Sequence, residues 1–407
     1  MNSPTISIDE QLAILARRCE RIVPEADLRK KLERSYKTGK PLRIKLGMDP
    51  TAPDVTLGHT VPMQVVRQFQ EWGHKAVIII GDYTARVGDP SGRNKTRPPL
   101  SGEQIDANAK TYVAQVGKVL LSDSDHLEVR YNGEWFAKMG LVDVIKLASR
   151  KTVAQVLTRE DFAKRYAEGV DIRLHEVLYP LMQGWDSVAI DADVEMGGSD
   201  QLFNNMVGRE LQQEEKPDDP LSAQVVIVTP LLVGTDGVKK MSKSLGNYIA
   251  VTDAPSGQDG MFGKIMSLPD ALMASYFQLV TNVPMDEARA LIARNPRDAK
   301  VALAKHVITW LHSKEAAEAA ADAFDRQFSK KEVPDDMPEF SVGLGPHKIA
   351  PLLVSAKLAS SNSDAIRKVR EGAVSINGEK VIDAAKEYTI DQPIVLKLGR
   401  KFARVKA

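Results

Sequence analysis

The sequence predicts an α/β protein with a doubly wound parallel sheet and a helical insertion, followed by a helical domain and a small α+β module. Before residue 230, short apolar segments alternate with helical patterns, and this alternation is typical of parallel sheets. Residues 76–80 (Ala-Val-Ile-Ile-Ile) are a continuous apolar run, as expected of a strand buried on both faces. After residue 255 the composition becomes helical and then basic.

Length and composition limit the class of protein. A chain of 407 residues has room for two or three domains, and 43% hydrophobic and 27% charged residues are typical of globular proteins. No apolar run approaches the roughly 18 residues that a membrane span needs, and the N-terminus does not resemble a signal peptide. Cys19 is the only cysteine, so we expect a reducing cytoplasm. Because the net charge is +1, contact with nucleic acid would require local basic patches.

The elements follow in order along the chain. Residues 5–38 predict two amphipathic helices, with Pro24 opening the second. A strand ends near Leu46, and the helix after it is indicated by four apolar residues on one face, Val61, Val65, Phe69 and Trp72. Further strands are predicted at residues 127–131, 188–196 and 225–229. Residues 132–187 are mostly helical and long for a simple crossover, so we expect an insertion with its own surface.

The first candidate site is the turn at residues 47–59, between the first parallel strand and its helix. Unpaired amides and the positive dipole end of a helix N-terminus attract phosphate. Gly58 would let a ligand approach the backbone closely, since glycine has no side chain. The same pattern is also common in plain α/β scaffolding, so this turn alone does not indicate function.

A second candidate site is the polar loop Lys240-Met241-Ser242-Lys243-Ser244, which offers two ammonium groups and two hydroxyls. An ordinary solvated basic loop explains this loop equally well when it is taken alone. Together, residues 56–59 (Thr-Leu-Gly-His) and residues 240–244 resemble the signature pair of the class I aminoacyl-tRNA synthetases. They occur in the right order and at a domain-scale separation.

Two further stretches supply polar groups. Tyr179, Gln183 and Asp186 share one face of a predicted helix, and their apolar surroundings favour a polar stripe that faces a cavity. Residues 197–201 (Gly-Gly-Ser-Asp-Gln) follow a predicted strand, where the glycines permit close approach and Asp200 offers an acceptor. A helix N-cap at Ser199 or Asp200 is the alternative reading, and both can hold.

The loop after the strand at residues 76–80 lies at the carboxyl end of that strand, where ligands of such sheets bind. Residues 81–97 contain turn glycines and three basic side chains, Arg93, Lys95 and Arg97. These cations indicate either a clamp for phosphate or a solvated basic loop, and the pattern favours neither.

The combination resembles the bacterial tyrosyl-tRNA synthetases over essentially the whole chain. The resemblance implies that Asp186 accepts a hydrogen bond from the phenol of L-tyrosine, while Tyr179 and Gln183 hold its ammonium group. It also implies that Thr84 and Asp89 complete the ammonium site and that Gln201 lies near the substrate carboxylate.

The resemblance also implies an ATP site. Gly198 and Asp200 match the family's residues at the ribose of ATP. Four further residues match the part of the first motif that faces the nucleotide: Asp49, Thr51, Gly58 and His59. The family's positions that bind the leaving pyrophosphate correspond to five residues of this sequence: Arg93, Arg97, Lys240, Lys243 and Ser244. Positioning and electrostatic stabilisation dominate such chemistry. ATP is expected as a substrate accompanied by Mg²⁺ but held in no dedicated protein cage, and scattered histidines predict no zinc.

Two positions depart from the family pattern. Thr56 stands where the family usually has histidine. Because a threonine hydroxyl can still donate one hydrogen bond, we expect the stabilisation of the leaving phosphates to be weakened but not lost. Lys45 stands where many relatives carry a tyrosine that touches the substrate phenol, so Asp186 is expected to bear more of the selectivity.

We predict a catalytic domain over residues 1–245, with the insertion at about 132–187 and the second motif in a loop at 239–245. Residues 246–332 predict a helical domain, which the family uses to contact tRNA, and residues 333–340 predict a linker. Residues 341–407 are basic, with a helix at 363–370 and an Asn377-Gly378 hairpin. This last segment resembles a small RNA-binding module shared with a ribosomal protein.

The resemblance implies a tyrosine–tRNA ligase with a Rossmann-like catalytic domain, whose partners are L-tyrosine and tRNA(Tyr). As in the family, a homodimer through residues 132–187 is expected. No contact with a membrane is expected. Three alternatives remain open from the sequence: a tryptophanyl-tRNA synthetase, a small-molecule nucleotidyltransferase, and a catalytically impaired relative that only binds RNA.

Overall fold

The computed structural model describes residues 6–87, 101–257, 259–328, 337–343, 345–399 and 401–406. The chain divides into two compact units, Met1–Thr252 with Leu268–Ala299 and Asp253–Ser267 with Lys300–Ala407. Among the described residues, no helix is both long and apolar enough to cross a membrane.

The described part of the first unit contains a six-stranded sheet in the order β1-β6-β5-β2-β3-β4. Its strands are β1 (Arg21–Val23), β2 (Arg43–Met48), β3 (Lys75–Ile80), β4 (Leu127–Tyr131), β5 (Val194–Gly198) and β6 (Val225–Thr229). Strands β2 to β6 are parallel, and β1 pairs antiparallel with β6. The apolar run at residues 76–80 is fully buried in β3, because the strand has neighbouring strands on both sides, α3 packs against it, and Val77 and Ile79 pack with Ile190, Ala192 and Trp135. The predicted doubly wound parallel sheet is confirmed.

Helices surround this sheet. The helices before residue 252 are α1 (Ile8–Ala16), α2 (Glu25–Thr38), α3 (Leu57–Glu71), α4 (Thr84–Val87), α5 (Gly102–Val116), α6 (Gly133–Phe136), α7 (Leu141–Ala148), α8 (Val153–Leu157), α9 (Glu160–Ala167), α10 (Leu174–Ala189) and α11 (Leu202–Glu215). Helices α13 (Met273–Val280) and α14 (Met285–Arg294) also belong to the first unit, while α12 (Met261–Met266) belongs to the second.

Helices α10 and α11 pack against each other closely, and this contact fixes the position of the polar stripe. A Cβ atom added to Gly184 would lie 3.0 Å from the backbone nitrogen of Gly208, so the two backbones approach because both residues are glycine. The helix that carries residues 179–186 is therefore held rigidly over the sheet.

Two predicted elements differ from the structure. Strand β1 interrupts the helices predicted at residues 5–38, because three residues are too few to show a strand period in the sequence. The strand predicted at residues 188–196 begins only at Val194, since α10 continues to Ala189 and Asp191 turns the chain with a φ of 50°. The apolar Ile190 was misread as part of the strand although it is buried at the end of the helix.

The described part of the second unit begins with α12 and continues with α15 (Pro296–Leu311) and α16 (Lys314–Phe328). Phe262 on α12 packs against Phe324 on α16, with ring centroids 5.2 Å apart. Helices α12 to α16 thus lie within the described part of the predicted helical domain at 246–332, but residues 268–299 cluster with the first unit.

The C-terminal module is an α+β structure with its own apolar core around Leu353 and Leu396. Its elements are β7 (Glu339–Ser341), β8 (Pro346–Lys348), α17 (Ile349–Ser355), α18 (Asn362–Arg370), β9 (Val374–Ile376), β10 (Glu379–Lys380), β11 (Glu387–Thr389), β12 (Ile394–Leu398) and β13 (Lys401–Lys406). The strands form a sheet in the order β10-β9-β12-β13-β7 and a pair β11-β8.

The predicted helix and hairpin of this module are confirmed by α18 and by the turn between β9 and β10. Asn377 and Gly378 have φ values of 48° and 86°, as a two-residue hairpin turn requires. The predicted linker at 333–340 is too long, because β7 pairs with β13 from Glu339 onwards. Residues 333–336 of that linker lie outside the described residues.

Candidate active site

The carboxyl ends of the parallel strands bring together most of the predicted site. Asp49 follows β2, Thr84 begins α4 after β3, Asn132 follows β4, and Asp200 follows β5. Strand ends of a parallel sheet meet at one edge, which is where ligands of this fold class bind.

A hydrogen-bonded group forms around Asp49. Tyr179 donates its phenolic proton to Asp49 Oδ2 at 2.9 Å, and Thr84 donates to Asp49 Oδ1 at 2.9 Å. Gly81 makes this arrangement possible, because a Cβ atom there would collide with both the carboxylate of Asp49 and the hydroxyl of Thr84.

Asp186 is a buried carboxylate on α10 with two donors. Trp135 Nε1 donates to Oδ1 at 3.0 Å, and Asn132 Nδ2 donates to Oδ2 at 3.4 Å. Burial raises the pKa of Asp186 to about 7, although nearby Lys45 and the two hydrogen bonds oppose that rise. Asn132 also donates to Thr84 Oγ1 at 2.9 Å, so hydrogen bonds run continuously from Asp186 to the group around Asp49.

Gln183 lies between these two groups in a saturated amide network. Its Nε2 donates to Asn205 Oδ1 at 2.8 Å and to Glu195 Oε1 at 3.2 Å. Its Oε1 accepts from Asn204 Nδ2 at 2.9 Å, and Asn204 also donates to Gln201 Oε1 at 3.3 Å. These partners assign the orientation of the Gln183 amide, with its oxygen on the side of Gln201.

His59 is the third residue of α3 and is oriented by Thr56, the N-cap of that helix. The backbone N–H of Thr56 donates to His59 Nδ1 at 3.2 Å, and the Thr56 hydroxyl lies 2.7 Å from the same nitrogen. Desolvation, with smaller contributions from Lys243 and Lys240, lowers the pKa of His59 to about 3. The ring is therefore neutral near pH 7, and because Nδ1 accepts, its proton is on Nε2.

Thr56 is placed differently from the expectation that it would donate to the leaving phosphates. Its side chain is fully buried, and its hydroxyl is engaged with His59 Nδ1. Thr56 is the N-cap of α3 and forms a β-bridge with Ala250. Its hydroxyl therefore lies against His59 at the N-terminus of this helix.

The two sequence motifs meet in the structure. A Cβ atom on Gly58 would lie 3.5 Å from Cβ of Met241, an ordinary van der Waals distance. Lys243 Nζ donates to the carbonyl of Asp54 at 2.9 Å and to the hydroxyl of Tyr112, above whose ring it lies at 5.0 Å. Lys240 Nζ donates to Asp200 Oδ2 at 2.6 Å.

The loop at residues 239–245 is anchored from below by Asn247. Its Oδ1 accepts from the backbone N–H of Ser242 at 2.8 Å, and its Nδ2 donates to Asp236 at 2.8 Å. Ser244 is exposed, and its hydroxyl lies 2.9 Å from that of Ser242. The base of the loop is thus fixed while its hydroxyls face solvent.

The remaining predicted residues have less definite surroundings. The backbone N–H of Thr51 donates to the carbonyl of Asp49 at 2.8 Å. A Cβ atom on Gly198 would lie 2.7 Å from Leu231 Cδ2 and 2.8 Å from Asp200 Oδ1, so a larger residue there would displace the ends of these two side chains. Three predicted residues lie outside the described residues: Asp89, Arg93 and Arg97. No group of three potential metal-ligating side chains occurs in the part of the chain that the structure describes.

Sequence reasoning missed three residues of the site, Asn132, Trp135 and Tyr112. Asn132 directly follows β4, so the rule that sites lie at strand ends would have found it. Trp135 lies three residues later and had no polar pattern to indicate it. Tyr112 is buried on α5, where its spacing is that of an ordinary core residue.

Comparison with known proteins gives a consistent result. Residues 37–329 match the family described as tRNA synthetases class I (W and Y), and residues 329–401 match the tyrosine–tRNA ligase SYY-like C-terminal domain. The tyrosine–tRNA ligase of Bordetella pertussis is 50% identical, with 99% of this chain and 97% of that protein covered. The enzyme of Moorella thermoacetica is 49% identical, with coverage of 98% and 96%.

Solved structures agree in fold. A tyrosyl-tRNA synthetase from Archaeoglobus fulgidus complexed with L-tyrosine has a TM-score of 0.61 and 25% identity, covering 77% of this chain and all of that one. A C-terminally truncated mitochondrial tyrosyl-tRNA synthetase from Aspergillus nidulans has a TM-score of 0.63 and 24% identity, covering 78% of this chain and 93% of that one. The second of these shows likeness of fold alone.

Proposed function

The chain belongs to the tyrosine–tRNA ligase family of class I aminoacyl-tRNA synthetases, and from this membership we infer how its site activates L-tyrosine with ATP and transfers it to tRNA(Tyr). The observation that carries the assignment is Asp186, a buried carboxylate with two fixed donors. A buried carboxylate is costly unless it is fully hydrogen-bonded, so its remaining acceptor capacity favours a ligand that brings a hydroxyl.

The tyrosine pocket runs between Asp186 and the group around Asp49. Asp186 accepts a hydrogen bond from the phenol hydroxyl, and the ammonium group donates to Tyr179 Oη and to the oxygen of Gln183. The support for Tyr179 is the direction of its hydrogen bond: its proton is donated to Asp49, and a phenol oxygen can donate one hydrogen bond and accept another. Gln201 contacts the carboxylate of the substrate, and Asp89 adds an acceptor for the ammonium group.

The nucleotide lies over the first motif. His59, neutral with its proton on Nε2, donates to a phosphate oxygen of ATP, and Thr56 sets that orientation. Gly198 and Asp200 bind the ribose, because Gly198 leaves room for a close approach. The carboxylate of tyrosine then attacks the α-phosphorus, a bond forms to that phosphorus, and pyrophosphate leaves with the electron pair.

The loop lysines stabilise the charge that grows on the leaving phosphates. Lys240 is held by Asp200 and Lys243 by Asp54 and Tyr112 before ATP binds. Phosphate oxygens are stronger acceptors than a carbonyl or a phenol, so ATP draws Lys243 toward the pyrophosphate, and the phosphates carry more negative charge than the single carboxylate that holds Lys240. The leaving pyrophosphate is also bound by Ser244, Arg93 and Arg97. Thr51 belongs to the first motif, which binds the nucleotide.

Mg²⁺ would enter the site with ATP and would supply positive charge that offsets the charge of its phosphates. The carboxylates near the described site support this, because Asp49 is engaged with Thr84 and Tyr179, and Asp200 with Lys240. Neither forms part of a cage for a resident ion.

Residues 246–332 and the C-terminal module contact tRNA. The support is the basic surface of the module, where Arg370, Lys380 and Lys348 are exposed. Phosphate contacts from such cations supply much of the affinity for RNA. The terminal ribose hydroxyl of the tRNA then attacks the carbonyl of tyrosyl-adenylate, and AMP leaves.

The chain forms a homodimer through residues 132–187. Four large apolar side chains of α7 and α8 are exposed there: Leu141 (75%), Val142 (64%), Ile145 (59%) and Val153 (63%). An exposed apolar patch of this kind usually marks an interface. The single cysteine supports a cytoplasmic location.

Two other functions stay open for test. The family match at residues 37–329 covers both tryptophan and tyrosine enzymes, whereas the C-terminal match is to tyrosine–tRNA ligases. An impaired relative would lack adenylate chemistry, but both lysines of the second motif are present here. ATP–pyrophosphate exchange with tyrosine, tryptophan and phenylalanine decides: exchange with tyrosine supports the proposal, and exchange with tryptophan alone or with none contradicts it.

A further inference from the structure

Lys45 and Glu195 form an ion pair that is completely enclosed beneath the tyrosine pocket. Their side chains are 0% and 1% exposed, and Lys45 Nζ lies 2.9 Å from Glu195 Oε1. The two residues are direct register partners on the adjacent parallel strands β2 and β5, so both side chains project from the same face of the sheet. That face lies under α10, the helix that carries the pocket.

Lys45 uses all three of its protons within the protein. Besides Glu195, its Nζ donates to the carbonyl of Gln183 at 2.8 Å and to Ser187 Oγ at 2.7 Å. An ammonium group has three donors and no acceptor, so Lys45 has none to offer the phenol of a substrate. Its contacts on α10 lie one turn apart and flank Asp186, so the ammonium group fixes the turn that presents this carboxylate.

Glu195 fixes the amide of Gln183. Its Oε1 accepts from Gln183 Nε2 at 3.2 Å, and its Oε2 accepts from Ser187 Oγ at 3.1 Å and from the side chain of Gln224. Because Glu195 and Asn205 accept from its nitrogen, the Gln183 amide has its oxygen on the opposite side, where it accepts from Asn204. Gly208 leaves room for this network, since a Cβ atom there would lie 3.2 Å from Glu195 Oε2 and 2.7 Å from Gln224 Nε2.

We propose that the Lys45–Glu195 ion pair is a positioning unit for tyrosine recognition, which holds Gln183 and Asp186 in the geometry that accepts the ammonium group and the phenol. The inference rests on the proposed function, because it concerns the tyrosine pocket of that site. Buried ion pairs are often no more stabilising than apolar side chains of the same volume, so stability alone is a weak reason for this pair. The contacts to Gln183, and to Ser187 directly beside Asp186 in α10, supply a stronger one.

The test compares Glu195→Gln, Lys45→Met and the double variant in tyrosine-dependent ATP–pyrophosphate exchange. We expect the KM for tyrosine to rise about tenfold or more in each, because the hydrogen bonds that orient its acceptors are lost. The KM for ATP stays within about twofold, since no ATP group contacts the pair. Because a single variant leaves one buried charge unpaired, the double variant keeps the test valid if either single variant does not fold.

Lys31→Met is the matched control. Lys31 is also buried, at 1% exposure, and forms an ion pair with Asp193 at 2.9 Å, but it lies on α2 and contacts no pocket residue. Its substitution is expected to lower the melting temperature and to leave the KM for tyrosine unchanged.

A double variant that unfolds at a lower temperature, as Lys31→Met does, but keeps the wild-type KM for tyrosine would overturn the inference and leave the pair a purely structural role. A wild-type protein without tyrosine-dependent exchange would instead contradict the proposed function. The two failures are therefore distinguished in the same set of assays.

Discussion

Asp186→Asn is the substitution that bears most directly on tyrosine selectivity. It removes the charge and replaces one carboxylate oxygen by an amide nitrogen, with almost no change in volume. Trp135 Nε1, at 3.0 Å, is the closer of the two donors, so the remaining oxygen is expected to face it. The amide nitrogen then faces Asn132 and the substrate phenol, where an acceptor stood before.

The magnitude follows from the hydrogen bond that is lost. A hydrogen bond to a charged group contributes about 1.5–3 kcal/mol, so kcat/KM for tyrosine should fall about 10- to 150-fold. The kcat/KM for phenylalanine should not fall, because phenylalanine has no hydroxyl and makes no hydrogen bond to Asp186 in the wild-type protein. Tyrosyl-tRNA synthetases are the standard example of rejecting an analogue that lacks a hydroxyl, by about 10⁴–10⁵. The ratio of kcat/KM for tyrosine to kcat/KM for phenylalanine should therefore be much smaller in the variant than in the wild-type protein.

The assay is ATP–pyrophosphate exchange with tyrosine and phenylalanine over a range of concentrations, together with the melting temperature of each protein. Asp191→Asn is the control, because Asp191 directly follows α10 and its partner Lys216 is on the surface, with side chains that are 70% and 54% exposed. An unchanged tyrosine-to-phenylalanine ratio in folded Asp186→Asn protein would show that another group reads the phenol.

Four further outcomes are expected. Lys243→Ala should lower kcat for exchange by about 10²-fold with little change in the KM for tyrosine, as expected of a group that acts on the leaving phosphates; a change confined to tyrosine binding would contradict this. In wild-type protein, kcat/KM for tyrosine should fall about tenfold per pH unit below pH 7, because Asp186, with its raised pKa, becomes protonated there and no longer offers a carboxylate to the phenol. A flat pH profile would refute this role of Asp186. Deleting residues 337–407, a module with its own core, should preserve exchange and reduce tRNA charging; equal losses in both reactions would mean that the module only supports the fold. The wild-type protein should sediment as the proposed dimer and Ile145→Glu as a monomer; a monomeric wild-type protein would contradict the dimer, and an unchanged dimer in the variant would place the interface elsewhere.

The sequence was sufficient to predict most of the fold because the relevant signals are local. The buried run at residues 76–80 and the Asn377-Gly378 turn each carry their structure in a few neighbouring residues. The strand predicted at residues 188–196 failed because its first apolar residues belong to the buried end of α10. Apolar periodicity cannot distinguish a helix end from a strand over so few positions.

The site was predictable only where its residues occur in motifs. Asp186 and Tyr179 share a helix face, whereas Trp135 and Asn132 reach the same carboxylate from a different element, which no sequence spacing reveals. Lys45 is the clearest case. The sequence showed only that it replaces a tyrosine, and its saturation by Glu195 depends on the register of two strands that are distant in the chain.

The central claim is tested most directly by the identity of the amino acid that the protein attaches to tRNA. The measurement is mass spectrometry of the ester formed when the protein acts on total tRNA with ATP, Mg²⁺ and an equimolar mixture of the twenty amino acids. The pocket around Asp186 predicts tyrosine as the only ester, carried by tRNA(Tyr). Tryptophan on the tRNA, or no ester from folded protein, would contradict the account.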